Sequence, residues 1–209
     1  MVFVRGPKER NSRALGENLM LKASRSTGPK SALIRKPYRP GMHGKRRRRL
    51  SEYGTQLVEK QKVKLSYGLT EKNMRAYVEG AMRTKTVTAP EQLVRRLEMR
   101  LDNAVFRAGL AASRSVARQL VSHGHIWVNG RRANIPSQQL RLGDMLAIRP
   151  QSREKKIFED LTVRLKKYEA PTWLSLDSEK IETKVMAYPT SEDAQVKADL
   201  ALVIEFYSR

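Results

Sequence analysis

Residues Ser113 to Asn134 read SRSVARQLVSHGHIWVNGRRAN, and two signals in this stretch decide the fold. Asn129-Gly130 stands between alternating residues, and a two-residue type I′ turn needs positive φ at both central positions, which Asn and Gly adopt at little cost. A hairpin closed there opposes Val128 to Arg131 and Trp127 to Arg132. His125, Trp127, Arg132 and Asn134 then share one face, while Ile126, Val128 and Ala133 take the other, the expected core face. Upstream, Ser113 is a candidate N-cap for a helix from Arg114 to Val121 that stops at Gly124. At about 100° per residue Arg114 and Arg118 share a side, with Val116 and Leu120 pointing roughly 200° away. One side packs and the other presents two guanidinium groups, although Val121 falls near the arginines.

Working outward, Met145 to Arg149 reads as a further strand after the Gly143-Asp144 turn. Thr88-Ala89-Pro90 opens a helical region in which Leu93, Leu97 and Leu101 recur at i+4, running with a break to Gly109. Residues 91 to 150 therefore read as a small α+β unit, helices followed by a short antiparallel sheet. Ile157, Leu161, Leu165 and Tyr168 mark one more helix, closed by Pro171. Asp177 to Ala194 reads as turns and irregular chain. In the other direction, Ser51 caps a charged helix to about Tyr67 with Tyr53, Leu57, Val58 and Leu65 as its apolar stripe. Thr70 caps a second, whose Met74, Tyr77, Val78, Ala81 and Met82 form an amphipathic face. Two helices cannot bury both faces of each other, so this pair needs a third partner. Leu200 to Tyr207 suits a strand or a helix equally and is the expected partner.

The chain has 209 residues and a formal net charge of +21, from 42 Lys and Arg against 21 Asp and Glu. Residues 1–50 carry 15 basic and 2 acidic side chains, so more than half the excess lies in the first quarter. That quarter, punctuated by Gly28-Pro29, Pro37 and Pro40-Gly41, is expected to be irregular and extended, ordered by a polyanion. Lys45, Arg46, Arg47, Arg48 and Arg49 form a basic run leading into Leu50-Ser51, which ties it to a folded body. Read alone, such a run also suits a nuclear-import signal or a solvated tail. The absence of cysteine excludes disulfides, thiolate nucleophiles and Cys-zinc sites. The longest strongly apolar stretch, Leu200 to Ile204, is far short of a membrane span, and Met1 to Asn11 is charged where a signal peptide needs an apolar block.

These residues together resemble a known family. Arg100-Leu101-Asp102-Asn103, Phe106-Arg107-Ala108-Gly109, Ser113-Arg114, Ala117 to His123, Ile126 to Gly130, Ile135-Pro136-Ser137 and Gly143-Asp144 are similar to the RNA-binding module named after bacterial small-subunit ribosomal protein S-four. Arg5-Gly6-Pro7-Lys8, Pro40 to Gly44, Leu50 to Gly54, Gln56-Leu57, Glu59 to Val63, Pro171 to Leu174 and Phe206 to Arg209 extend the resemblance to the ribosomal protein family over essentially the whole chain. The resemblance implies an α+β, two-part body: a basic extension over 1–45, a helical domain over 46–90 completed by about 175–209, and the inserted module over 91–170. It implies early binding to a multi-helix junction in the 5′ domain of small-subunit ribosomal RNA, nucleation of subunit assembly, and a role in decoding fidelity through a neighbouring protein of the S-five family. Feedback on its own messenger is a weaker family property. Many relatives bind zinc through amino-terminal cysteines; here that region must be ordered by packing and RNA, and no cofactor, small-molecule substrate or membrane is expected. The place implied is the ribosome, cytoplasmic or organellar.

Recognition of such a junction rests on phosphates, 2′-hydroxyls and shape, for which arginine forks are suited. The expected contacts in the module are Arg107, Arg114 and Arg118, with Ser113 at a helix N-terminus. Arg131 and Arg132 beside the turn are expected to grip a second phosphate, and Gln119, His123 and Asn129 complete the set with the run 45–49. Arg100 has a competing use, an ion pair with Asp102 or Glu98, and Asp102 reads as structural; Trp127 reads as packing before base stacking. One rival is an RNA-modifying enzyme, since Arg100-Leu101-Asp102 mimics a pseudouridine synthase motif. The residues after it depart from that motif and no large catalytic domain remains. A stress protein carrying the same module and a helix-turn-helix DNA regulator are the others.

Overall fold

A computed structural model describes residues 7–22, 28–46, 49–84 and 86–208. In chain order the helices are α1 (Lys8–Leu15), α2 (Ala32–Arg35), α3 (Glu52–Ser66), α4 (Glu71–Arg83), α5 (Ala89–Glu98), α6 (Leu101–Arg107) and α7 (Arg114–Ser122). Strands β1 (Ile126–Val128), β2 (Arg131–Ala133) and β3 (Met145–Ile148) follow, then two short 3-10 turns, α8 (Leu161–Lys166), β4 (Leu174–Asp177), β5 (Glu182–Val185) and α9 (Leu200–Ser208). The fold is α+β. It divides into two units, Met1–Leu93 with Gln195–Arg209, and Val94–Ala194.

In the first unit the capping residues do what their chemistry predicts. Ser51 Oγ accepts from the Gly54 N–H at 3.2 Å and Thr70 Oγ1 from the Asn73 N–H at 3.1 Å, satisfying donors that have no partner inside the helix. Met74, Val78 and Ala81 are fully buried along α4, but Met82, read as part of the same face, is 42% exposed. It lies about 80° around the helix from Met74, past the edge of the arc that Val78 and Ala81 define. The third partner is α9, which packs on α3 and α4. Asp199 decides helix over strand: its Oδ1 accepts from the N–H groups of Ala201 and Leu202, at 2.9 and 3.3 Å. Its own N–H donates to Glu59 on α3 at 3.0 Å.

The first quarter, expected to be irregular, contains α1 and α2 in its described part, and Leu19 and Leu21 are buried. Its two acidic residues act as staples. Glu9 accepts from the Ala32 N–H at 3.1 Å, and Glu17 pairs with Lys62 of α3 at 3.2 Å. Arg13 Nε donates to the carbonyls of Lys36 and Tyr38 and its guanidinium lies 5.1 Å from the centre of the Tyr38 ring. Side-chain packing thus organises a segment without cysteine.

The second unit has one core, built from α6, α7, α8 and the inner face of a five-stranded antiparallel sheet of order β2-β1-β3-β5-β4. Val128 opposes Arg131, Trp127 opposes Arg132, and Asn129 and Gly130 have φ of 50° and 75°, so hairpin and register follow the sequence reading. Residues 177–194 do not stay irregular, because β5 pairs with both β3 and β4. Thr183 and Val185 point inward, while Glu182 and Lys184 make the strand look like a polar loop in sequence. The unit therefore runs on to Ala194, past residue 170 where the sequence reading closes it, and residues from Gln195 return to the first unit. The helix expected from Ile157 starts at Leu161; Ile157 is 62% exposed and its neighbour Phe158 enters the core instead. Among the described residues no helix is long and apolar enough to cross a membrane, and no cluster of His, Asp and Glu is placed to hold a metal ion.

Candidate nucleic-acid interface

The chain breaks between α5 and α6 at Met99-Arg100, and this break brings four polar side chains into the interior. Arg100 is 1% exposed and forms a two-pronged pair with Asp102, Nε to Oδ1 at 2.9 Å and Nη2 to Oδ2 at 2.6 Å. Asn103 Nδ2 donates to Glu98 Oε2 at 2.8 Å, and Glu98 is wholly buried. A buried charge is tolerated only when paired and hydrogen-bonded, and each of these groups is.

Three further arginines close on the rim of this network. Arg114 Nε donates to Asn103 Oδ1 at 2.8 Å and the guanidinium lies 4.7 Å from the centre of the Phe106 ring. Arg118 Nη1 reaches Asp102 Oδ2 at 3.4 Å. Arg107 stands 3.5 Å from Glu98 and donates through Nη2 to the Asp193 carbonyl at 2.6 Å. Helix α7 is not divided into a packed side and an opposite arginine side. Its buried positions are Ala117, Leu120 and Val121, while Val116 is only partly buried. Arg114 and Arg118 sit at the border of the core, not opposite it, and each spends one side of its fork inward. Each guanidinium carries five N–H donors in a fixed fork, a geometry that suits phosphate. The cluster holds four guanidinium groups against two carboxylates, leaving two positive charges in excess.

The other expected contacts divide by what holds them. Ser113 is buried and its hydroxyl accepts from the Val116 N–H at 3.3 Å, which makes it a helix cap. Asn129 is committed to the turn: Nδ2 donates to Asp144 at 2.8 Å and Oδ1 accepts from the Met145 N–H at 2.8 Å. Arg131, Arg132, Gln119 and His123 are exposed, and neither arginine has a carboxylate partner among the described residues. Arg132 lies against the Gly124 backbone so closely that a Cβ there would collide with its Nε. In the first unit Lys45, Arg46 and Arg49 are exposed, with Lys45 Nζ 5.5 Å from the centre of the Tyr38 ring. Arg47 and Arg48 lie outside the described residues.

Sequence reasoning passed over Asn103, which links Glu98 to Arg114, and the cations Arg149 and Lys155 near the hairpin. Nothing in their local sequence marks them, because they meet only through the fold. The Arg100-Leu101-Asp102 triplet holds no reactive carboxylate: both oxygens of Asp102 are taken by Arg100.

A buried ionic hub ringed by arginines, beside a cation-bearing hairpin, defines a polyanion-binding module joined to a second, helical unit. Comparison with known families also finds two parts. Residues 4–98 match the ribosomal protein S4/S9 N-terminal domain, and residues 99–146 match the S4 domain. The chain is 46% identical over 209 residues to the small ribosomal subunit protein uS4 of Halothermothrix orenii, covering 100% of both chains. It is 45% identical over 201 residues to that of Syntrophomonas wolfei, covering 96% of each, and 46% identical over 208 residues to that of Herpetosiphon aurantiacus, covering 98% of each. The chain belongs to the uS4 family of small-subunit ribosomal proteins, a structural and not an enzymatic family.

Proposed function

We infer that this chain is a structural constituent of the small ribosomal subunit that binds ribosomal RNA at a multi-helix junction of the 5′ domain, nucleates assembly there, and contributes to decoding fidelity through a neighbouring protein of the S-five family. The observation that carries the RNA contact is the arginine ring of the second unit. Arg107, Arg114 and Arg118 are each anchored by inward contacts, so their guanidinium groups are presented in a fixed pattern with little entropy left to lose. Such a pattern recognises phosphates by position, which is how an RNA junction differs from a plain duplex. Arg131, Arg132, Lys45, Arg46 and Arg49 add exposed charge, and the sequence run 45–49 extends it. Binding to its own messenger is the same chemistry applied to a similar RNA shape.

Chemical footprinting of the purified chain on naked small-subunit ribosomal RNA tests this reading. Protection centred on a 5′-domain junction is expected, with no covalent change to the RNA. Equal protection of linear duplexes would contradict it, and a preference for duplex DNA would favour a regulator instead.

A further inference from the structure

The outer face of the hairpin carries a second cation cluster, built from four separate pieces of the second unit. His123 follows α7, His125 precedes β1, Arg132 lies on β2, Arg149 follows β3, and Lys155 lies between the two 3-10 turns beyond it. The two imidazole rings stand 6.2 Å apart, and the Arg132 guanidinium lies over Gly124 between them in the chain. The Arg149 N–H donates to the His125 carbonyl at 2.9 Å, tying the end of β3 to the same spot. His123, Arg132 and Lys155 are exposed. Among the described residues none of Arg132, Arg149 and Lys155 has a carboxylate partner; Arg149 Nε donates only to the neutral side chain of Gln151, at 2.7 Å. The arginines on the ionic hub are paired, whereas these cations are gathered without counter-charge, which is unfavourable unless an anion arrives.

His125 sits at the centre of this arrangement. Its Nδ1 is 2.9 Å from the hydroxyl of buried Ser152, and its ring meets Phe158 edge-on at 6.3 Å between centroids. Nε2 has no partner among the described residues. We propose that His123, His125, Arg132, Arg149 and Lys155 form a second backbone-phosphate site, in which His125 takes up a proton from solvent as the phosphate binds. The imidazolium would donate through Nδ1–H to Ser152 Oγ and through Nε2–H to a phosphate oxygen. Without the anion, burial first, and then the charges of Lys155, His123, Arg149 and Arg132, hold His125 below the ordinary histidine value. A phosphate among them reverses the charge contribution, so proton and phosphate bind cooperatively. The RNA source of the phosphate rests on the function proposed above; the site itself does not.

The test uses the full chain and two probes. By NMR, the titration midpoint of the His125 imidazole should rise when inorganic phosphate is added, and this response should vanish in the R132Q/K155Q variant, whose changes lie at the exposed surface. At constant salt, affinity for a 5′-domain transcript should increase about three- to tenfold between about pH 7.5 and 5.5, and His125→Gln should flatten that dependence. A midpoint indifferent to phosphate overturns the site, as does equal affinity at the two pH values. A phosphate-sensitive midpoint with no junction footprint would instead overturn the proposed function and leave the site standing.

Discussion

Asp102 carries more of the second unit than its size suggests. One carboxylate takes both prongs of Arg100, the Asn103 N–H at 2.9 Å and the edge of Arg118, all with 4% of the residue exposed. Removing it would take the two-pronged carboxylate from Arg100, itself 1% exposed, and leave that buried charge under-compensated. Asp102→Ala should therefore destabilise the protein by about 3–5 kcal/mol, read as a lowered denaturant midpoint, and should loosen Arg118. Replacing Arg118 by Gln leaves the Arg100–Asp102 pair intact, so stability should fall by only about 1 kcal/mol while RNA affinity drops. The competing use of Arg100 foreseen in the sequence is the one the structure adopts. That choice was legible because an arginine two residues before an aspartate at a helix start reaches it without any tertiary help. The partners of Arg114 and Arg118 were not legible, since Asn103 and Asp102 are 11 and 16 residues away in sequence.

At the scale of elements, the C-terminal helix α9 is held to the helical pair by an ionic and aromatic cluster. Lys60 Nζ pairs with Glu71 at 2.9 Å and lies 4.3 Å from the centre of the Phe206 ring, and the Tyr207 hydroxyl donates to Glu71 at 2.6 Å. Burial alone would raise Glu71, but hydrogen bonds from Lys64, Tyr207 and Lys60 outweigh it and hold the carboxyl down at about 2. A folded-state value below the unfolded one stabilises the native form above the ordinary carboxylate range and is lost as pH falls toward about 2. The docking of α9 should weaken over that interval, followed by Phe206 and Tyr207 fluorescence or hydrogen exchange, and Tyr207→Phe should shift the loss to higher pH. The two capped helices and the Asn-Gly hairpin were readable because their signals are local: a hydroxyl at the N-cap, a pair of residues that accept positive φ. Helix α9 and strand β5 were not. The cap of the first at Asp199 is local, but its apolar residues alternate as a strand's would, and its docking rests on Glu59, 140 residues away; the second depends on edges of β3 and β4 that its own four residues do not announce.

For the whole molecule, the charge of +21 governs how strongly RNA is held, and the fold governs which RNA. Neutralising roughly 6 to 10 phosphates should lower affinity by about three to five decades between 50 and 200 mM salt. Filter binding across that range checks it, and a flat response would contradict an electrostatic mechanism. Composition and pattern determined by themselves that the partner is a polyanion, that two helices need a third, and that a hairpin turns at Asn129-Gly130, because net charge, periodicity and turn stereochemistry act over a few residues or over none in particular. The tertiary structure alone decided which cations meet a carboxylate. Among the described residues Arg107 and Arg118 pair inward with Glu98 and Asp102, whereas Arg132, Arg149 and Lys155 have no carboxylate partner, since a charge's partner is set by the residues that folding places within a few ångströms, most of them distant in the chain.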